Sequence, residues 1–261
     1  MTVNHLNCLV FANGKIRALT TLRTPSLPEA GNTALHVCEN PAAVLENRRL
    51  LAGMSLPLEQ WVLPDQKHTN HIERVYAADR KKGAFEPQSA IEKTDGLYTT
   101  DPGTLIGVFT ADCLGILFAD PMTGLVGAVH SGWKGSVQGI VQVFIDALKK
   151  DGLFHPESLQ VYFSPSLMQS SLEIGPEVAV QIEEMAKTHE IDLEGILVPG
   201  EGDRSFFDNQ ELNIRLLKKN GLPAANIHPS LIDTKTSPYG FSFRRDGRTC
   251  GEHFSCIWIE A

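Results

Sequence analysis

Apolar residues in this chain form two kinds of run. Between residues 104 and 132 they are nearly continuous: "TLIGVFTADCLGILFAD" and "GLVGAVHSG" hold few charges and meet at a turn over 120–124. Such runs, bounded by turn residues, predict two adjacent strands, 104–120 and 124–132. From 135 to 152 the spacing changes. Val137, Ile140, Val141, Phe144, Ile145 and Leu148 keep a 3.6-residue period and Gly152 follows as a stop, which predicts an amphipathic helix.

The same patterns recur along the rest of the chain. Residues 6–14 and 16–23 read as a hairpin, the first strand ending at Asn-Gly. Residues 39–54 read as a helix capped by Asn40, with Pro41 in its first turn and Leu45, Leu50 and Leu51 on one face. Residues 60–76 read as strand, loop, strand, and the polar stretch 80–94 as a loop. "LQVYFSPSL" is a strand running into a loop, 176–190 and 208–221 are helices, and the chain closes on a turn and a strand. No repeat of fixed period and no low-complexity linker interrupts this. Strands and helices mixed without strict βαβ alternation predict the α+β class, with residues 1–261 as a single domain.

Composition narrows the function. A length of 261 residues permits a sizeable core, and 42% hydrophobic against 21% charged residues is ordinary for a globular protein. The net charge of −8 and the shortness of the one basic cluster, "DRKKG", argue against a nucleic-acid partner. No apolar run reaches the roughly 18 residues that span a bilayer, so no membrane partner is expected. The first 15 residues lack a basic stretch followed by a long apolar core, so no secretory leader is expected. Five cysteines, an odd number without regular spacing, suit free thiols in a reducing cytoplasm. Nothing here sets the oligomeric state.

Candidate metal ligands are few. His68 lies in the loop "DQKHTNH", while Cys113 and His130 lie on the central strands, 45 and 17 positions further on. These intervals form no local metal motif, so only the fold can bring the three together. The alternative is plain: a cysteine in an apolar run often just packs, and a histidine at a strand end is often a hydrogen-bonded structural group. Together they would be three ligands, one short of a closed structural zinc site, which is the pattern of a catalytic zinc. One thiolate and two imidazoles suit zinc, but also copper. An open-site zinc brings the pKa of its water to about 7, enough to displace ammonia from a purine ring. Asp95 and Asp112 are candidates to orient a ligand or shuttle protons. For Asp95 the alternative is simple Asp-Gly turn chemistry. Asp112 and Cys113 are neighbours, so both enter one pocket only if the strand is interrupted.

The turn "SGWKGS" joins a strand to a helix beside His130. Its glycines allow close backbone approach, a helix start attracts phosphate, and Lys134 adds a charge. The alternative is a plain helix entry capped by Ser136.

The segments "DQKHTNHI", "TDGLYTTDPGTLIGVFTADCLGILFADP", "GAVHSGWKGSVQGIV" and "FSFRRDG" with a terminal "IWI" resemble the YfiH/DUF152 family. This family is also called the multicopper polyphenol oxidase or laccase family and is described as purine nucleoside phosphorylase. The resemblance runs from about Asn32 to Trp258. It implies a single α+β domain of layered mixed sheets with flanking helices. It implies zinc held by His68, Cys113 and His130, the residues that match the family's "Q-V-H-G", "T-A-D-C" and "H-A-G-W-R-G" motifs. It implies phosphorolysis of adenosine, inosine and 5′-methylthioadenosine, with adenosine deamination at the same site. Asn32, Arg48, Arg244 and Arg245 fall on matching segments. A guanidinium there would clamp phosphate, unless it serves only as a surface ion pair.

The chain also departs from the family pattern. Glu252 stands where many members carry Arg, Asp233-Thr234 replaces a Cys-Thr pair, "SPSLMQSSLEIGPEV" replaces a "GPxIGPxxFEVG" pattern, and Lys67 and Thr69 replace Val and Gly beside His68. Substrate preference is where these changes would be felt. Three other functions compete with zinc-dependent nucleoside chemistry. Copper oxidation of phenols is one, weakened by nine histidines with no His-x-His pair. A Cys113/His130 hydrolase, including a part in editing cell-wall precursors, is another. A non-catalytic ligand binder is the third.

Overall fold

The near-continuous apolar runs belong to strands covered on both faces. The computed structural model describes residues 6–261. In chain order its strands begin with β1 (Cys8–Asn13), β2 (Ile16–Thr21), β3 (Trp61–Val62), β4 (Ile72–Arg74), β5 (Gly96–Thr99) and β6 (Leu105–Thr110). They continue with β7 (Leu114–Asp120), β8 (Leu125–Ser131), β9 (Gln160–Phe163), β10 (Glu173–Ile174), β11 (Leu197–Pro199) and β12 (Ser205–Phe207), ending in β13 (Ile227–His228) and β14 (His253–Ile259). The helices are α1 (Pro41–Ala52), α2 (Trp133–Val137), α3 (Ile140–Lys150), α4 (Pro176–Thr188), α5 (Asn209–Lys219) and α6 (Phe243–Asp246).

Two mixed sheets form the centre, one ordered β1-β2-β14-β6-β3 and the other β13-β9-β7-β8-β5-β4; a small sheet, β10-β12-β11, lies apart. Alternation along the strands explains the layering. Ile106 and Val108 of β6 meet Leu117, Ala119, Val126 and Ala128 of the other sheet, while Leu105 and Phe109 point to the opposite side. On the outer face of the six-stranded sheet, Ile116, Phe118 and Val129 pack against Val141, Phe144 and Leu148 of α3 and Leu216 of α5. A strand buried on both faces needs apolar residues at every position, hence the unbroken runs. The class is α+β, in layers.

Three expectations change. Residues 104–120 are not one strand. β6 and β7 belong to different sheets, and the chain breaks between them at Asp112, whose φ of 85° no strand accommodates. The helix expected over 135–152 starts earlier and is split: α2 ends before Gly139, whose φ of 69° interrupts the winding, and α3 follows. Asn40 caps α1 as expected, accepting from the Ala43 N–H at 3.2 Å, but the buried face differs. It comprises Ala43, Val44, Asn47, Arg48 and Leu51, whereas Leu50 is exposed and Leu45 half-buried. Asn47 and Arg48 turn inward because backbone carbonyls there need donors. The closing turn contains a short helix, α6. Among the described residues no helix is long and apolar enough to cross a membrane. The expected lack of a leader rests partly on residues 1–5, which lie outside the described residues.

Candidate metal centre and its cavity

Strand register brings two of the candidate ligands together. In the β7–β8 ladder Leu114 faces Ser131 and Gly115 faces His130, so Cys113, just before β7, lies beside His130 and Gly132. The break at Asp112 turns Cys113 inward, and the Asp112 carbonyl is pinned by the Leu167 N–H at 3.0 Å. His68 arrives from the loop after β3, with a left-handed φ of 58°. The possible ligand atoms of His68, Cys113 and His130 all lie within 4.8 Å of one another, and the described residues contain no other such group of three. Gly132 supplies the room: a Cβ there would lie 2.7 Å from the Cys113 sulfur and 3.5 Å from the His68 ring. The donor set, the spacing and this cradle fit a single metal ion.

Asp95 organises both histidines from behind. It is fully buried. Its Oδ1 accepts from His130 Nδ1 at 2.8 Å and from the His68 N–H at 3.0 Å. Its Oδ2 accepts from the Lys67 and Thr69 N–H groups and the Thr69 hydroxyl, at 3.1, 2.7 and 2.8 Å. With Nδ1 so engaged, His130 has Nε2 left for a ligand role. Asp95 is not among the residues that line the cavity; it stands behind His130 and the His68 loop.

The electrostatics favour a ligating thiolate. Burial alone would raise the Cys113 thiol, but His130 and His68 outweigh it and bring the pKa down to about 7. Burial would likewise lower His130, yet Cys113 and Asp95 push it up to about 10. For Asp95, burial is overcome by the donors from His130 and Thr69, which hold it at about 2.

The three side chains open on a cavity of about 740 Å³. Of the remaining sequence candidates, Asp112 and Arg244 line it. Asp112 accepts from the Thr234 hydroxyl at 2.7 Å and from the Arg244 N–H at 2.6 Å, tying the α6 segment to the wall. The Arg244 side chain is exposed, with long contacts of 3.3 and 3.4 Å to the Glu173 carbonyl.

The other four sit elsewhere. Arg48 is buried, donating to the carbonyls of Thr33, Gly83 and Ala84, so it braces loops instead of facing the cavity. Arg245 folds back onto Asp246 and the carbonyls of Thr234, Ser237 and Gly240. Asn32 is buried, bonding to Val37 and to the Ala34 and Glu252 N–H groups. Lys134 is exposed, its amine lying over the Trp133 ring. Ser136 is no cap: its hydroxyl lies in a buried network with Ser131 and Asn209. The helix α2 is only five residues long, so its start offers little dipole to an anion.

Several wall residues were not singled out as site candidates: His36, Gln66, Thr110, Trp133, Asn209 and Arg248. Gln66 clamps β6 from the loop of His68, bonding the Phe109 carbonyl at 2.8 Å and its N–H at 2.7 Å. Its place two residues before His68 was the available signal. Asn209 donates to the carbonyl of Ser131, next to His130, at 2.7 Å. It starts a helix far along the chain, and no local pattern marks it.

Known proteins resemble this chain in sequence and in fold. The chain is 31% identical over 236 residues to a Bacillus subtilis protein named purine nucleoside phosphorylase YlmD, covering 89% of this chain and 83% of that one. It is 31% identical over 231 residues to adenosine deaminase RL5 from an unknown prokaryotic organism, covering 87% and 86%. The crystal structure of Bacillus licheniformis hypothetical protein YfiH superposes with a TM-score of 0.91 at 28% identity, over 98% of each chain. Residues 22–260 match the family described as multi-copper polyphenol oxidoreductase laccase, and the chain belongs to that family.

Proposed function

We propose that this chain is a zinc-dependent enzyme of purine nucleoside chemistry, phosphorolysing adenosine, inosine and 5′-methylthioadenosine and deaminating adenosine in the same cavity. The observation that carries the reading is the convergence of His68, Cys113 and His130, one ligand short of zinc's usual four, on the wall of a nucleoside-sized cavity. Relatives named purine nucleoside phosphorylase and adenosine deaminase support it. When bound, zinc supplies Lewis acidity and activates water at neutral pH.

The chain's own residues hold and orient. Asp95 fixes His130 through Nδ1 and the His68 loop through its backbone. Arg244 offers a guanidinium at the cavity wall for phosphate, and Asp112 holds its backbone in place. In phosphorolysis a phosphate oxygen bonds to C1′ as the C1′–N9 bond breaks and the base leaves with a proton. In deamination water adds at C6 and ammonia departs. Residues 1–261 act as one domain, in the cytoplasm, on small molecules.

One second reading has an observation of its own. Cys113 and His130 also resemble the nucleophile and base of a cysteine hydrolase, because the thiol is brought down to about 7 beside an imidazole. Copper oxidation of phenols is disfavoured by the single three-residue metal group among the described residues.

Metal analysis coupled to nucleoside assays separates these. The reading expects stoichiometric zinc, hypoxanthine from inosine only with phosphate, and ammonia from adenosine without it. Full activity in metal-free protein would refute it and favour the hydrolase.

A further inference from the structure

We infer that Phe243, at the start of α6, is the platform on which the purine base of the substrate stacks. This rests on the nucleoside reading above and names the residue that receives the base.

Three aromatic side chains other than histidine line the cavity: Phe109, Trp133 and Phe243. Two of them are engaged. Phe109 is buried, stacks on Phe254 with ring centres 4.7 Å apart, and also meets the His36 ring and the Arg48 guanidinium. Trp133 packs on the core and has the Lys134 amine 5.6 Å from its ring centre. Phe243 is 55% exposed, and among the described residues its ring has no aromatic or cationic partner. Of the large exposed apolar side chains among the described residues, it alone lines the cavity. Singly exposed apolar residues are ordinary. A bare ring that continues a cavity wall with Leu167 and Leu172 marks a surface that a ligand covers.

The ring is uncovered, but its backbone is held. The Ser242 hydroxyl caps α6, accepting from the Arg245 N–H at 3.2 Å. The Arg244 N–H, on the peptide bond that follows Phe243, donates to Asp112 at 2.6 Å, and Asp112 adjoins Cys113. Arg245 donates to the Gly240 carbonyl at 2.7 Å and holds the segment from its other side. The ring is therefore rooted on the residue that turns Cys113 inward, and it shares one cavity with the metal end. With the backbone already fixed, little ordering remains to oppose binding.

The chemistry selects the occupant. A phenyl ring offers no hydrogen bond to a sugar, and its electron-rich face repels phosphate. It takes a flat aromatic group in offset or edge-on contact. Stacking reads no pattern of donors and acceptors, so adenine and hypoxanthine are received alike. One cavity can then serve adenosine and inosine, with their C6 substituents distinguished elsewhere than at this ring.

The test is steady-state kinetics of the zinc-loaded enzyme in both directions of phosphorolysis, for wild type, Phe243→Tyr, Phe243→Leu and Phe243→Ala. In the synthetic direction hypoxanthine N9 bonds to C1′ of ribose 1-phosphate as the C1′–O bond breaks and phosphate leaves. Phe243→Leu and Phe243→Ala should raise KM for adenosine, inosine and hypoxanthine by at least about fivefold, the lower end of what a lost base–aromatic stack costs. Their kcat and their KM for ribose 1-phosphate should move by less than about twofold, because binding of the base alone is lost. Phe243→Tyr keeps the ring and should hold every KM within about twofold of wild type. Phe243→Leu keeps an apolar side chain at an exposed position, so it decides the matter if Phe243→Ala disturbs α6. An unchanged KM for the nucleosides and hypoxanthine in Phe243→Leu, an equal rise for ribose 1-phosphate, or a Phe243→Tyr enzyme as impaired as Phe243→Leu would overturn the platform alone. No turnover of any nucleoside by wild type would overturn it together with the nucleoside reading.

Discussion

The two ends of the cavity are built by different means. At the metal end, Cys113 and His130 are set by the β7–β8 register, and Asp95 ties His130 and the His68 loop together beneath the surface. At the rim, Phe243 and Arg244 are exposed on a short helix, tied down by Asp112 on the Arg244 N–H and by Arg245 on the carbonyls of Thr234, Ser237 and Gly240. The difference shows which substitutions a shared site tolerates. Lys67 and Thr69 stand in for Val and Gly beside His68 because Asp95 reads their backbone N–H groups, which any residue but proline supplies. Glu252, where the family resemblance leads one to expect an arginine, lines the cavity away from His68, Cys113 and His130. The candidate metal end is therefore fixed by strand register and by a buried carboxylate, and the rim by contacts of a short exposed helix.

That contrast can be broken in order of expected effect. Cys113→Ala removes a ligand and should cost more than ~100-fold in activity together with the bound zinc. Retained zinc and activity would place the chemistry at the rim. Asp95→Asn keeps the shape but points an amide donor at N–H groups that need an acceptor. It should weaken metal affinity by roughly 10–100-fold, read by competition with a chelator. An unchanged affinity would show that the backbone alone positions the histidines.

The smallest effect concerns the support of the rim. His253 is buried, takes the Phe241 N–H on Nε2 at 2.9 Å and bonds the Thr21 carbonyl through Nδ1 at 2.7 Å. Burial brings its pKa down to about 4. A depressed folded pKa means that the unfolded chain binds the proton first. Stability from this group is full above the unfolded value of about 6.5 and is lost as pH falls towards 4. From pH 7.5 to 5.5 the loss should be about 1.4 kcal/mol, a tenfold change in the folding equilibrium. Denaturant titrations should show this component in wild type and not in His253→Gln; identical slopes would contradict it.

How much of this the sequence disclosed depends on what each residue faces. The strands β7 and β8 were legible because covered faces demand apolar residues throughout. The same property hid the boundary between β6 and β7, since a run buried on both sides looks unbroken where it changes sheets. Asp112 within that run was the available sign. Helix periodicity identified α3 but not the stop at Gly139, because an isolated glycine is tolerated within helices. The family resemblance alone offers Arg48 as a phosphate ligand, and its buried side chain donates to three backbone carbonyls, which no sequence pattern foretells. The metal trio could be named from motif resemblance, but its convergence needed the fold, as did the central place of Asp95.

The most direct measurement is X-ray absorption at the zinc edge of the purified protein, with metal content measured on the same sample. The account predicts one zinc per chain, with one sulfur at about 2.3 Å and two imidazole nitrogens at about 2.0–2.1 Å. Absence of stoichiometric metal, or a coordination shell without sulfur, would contradict it.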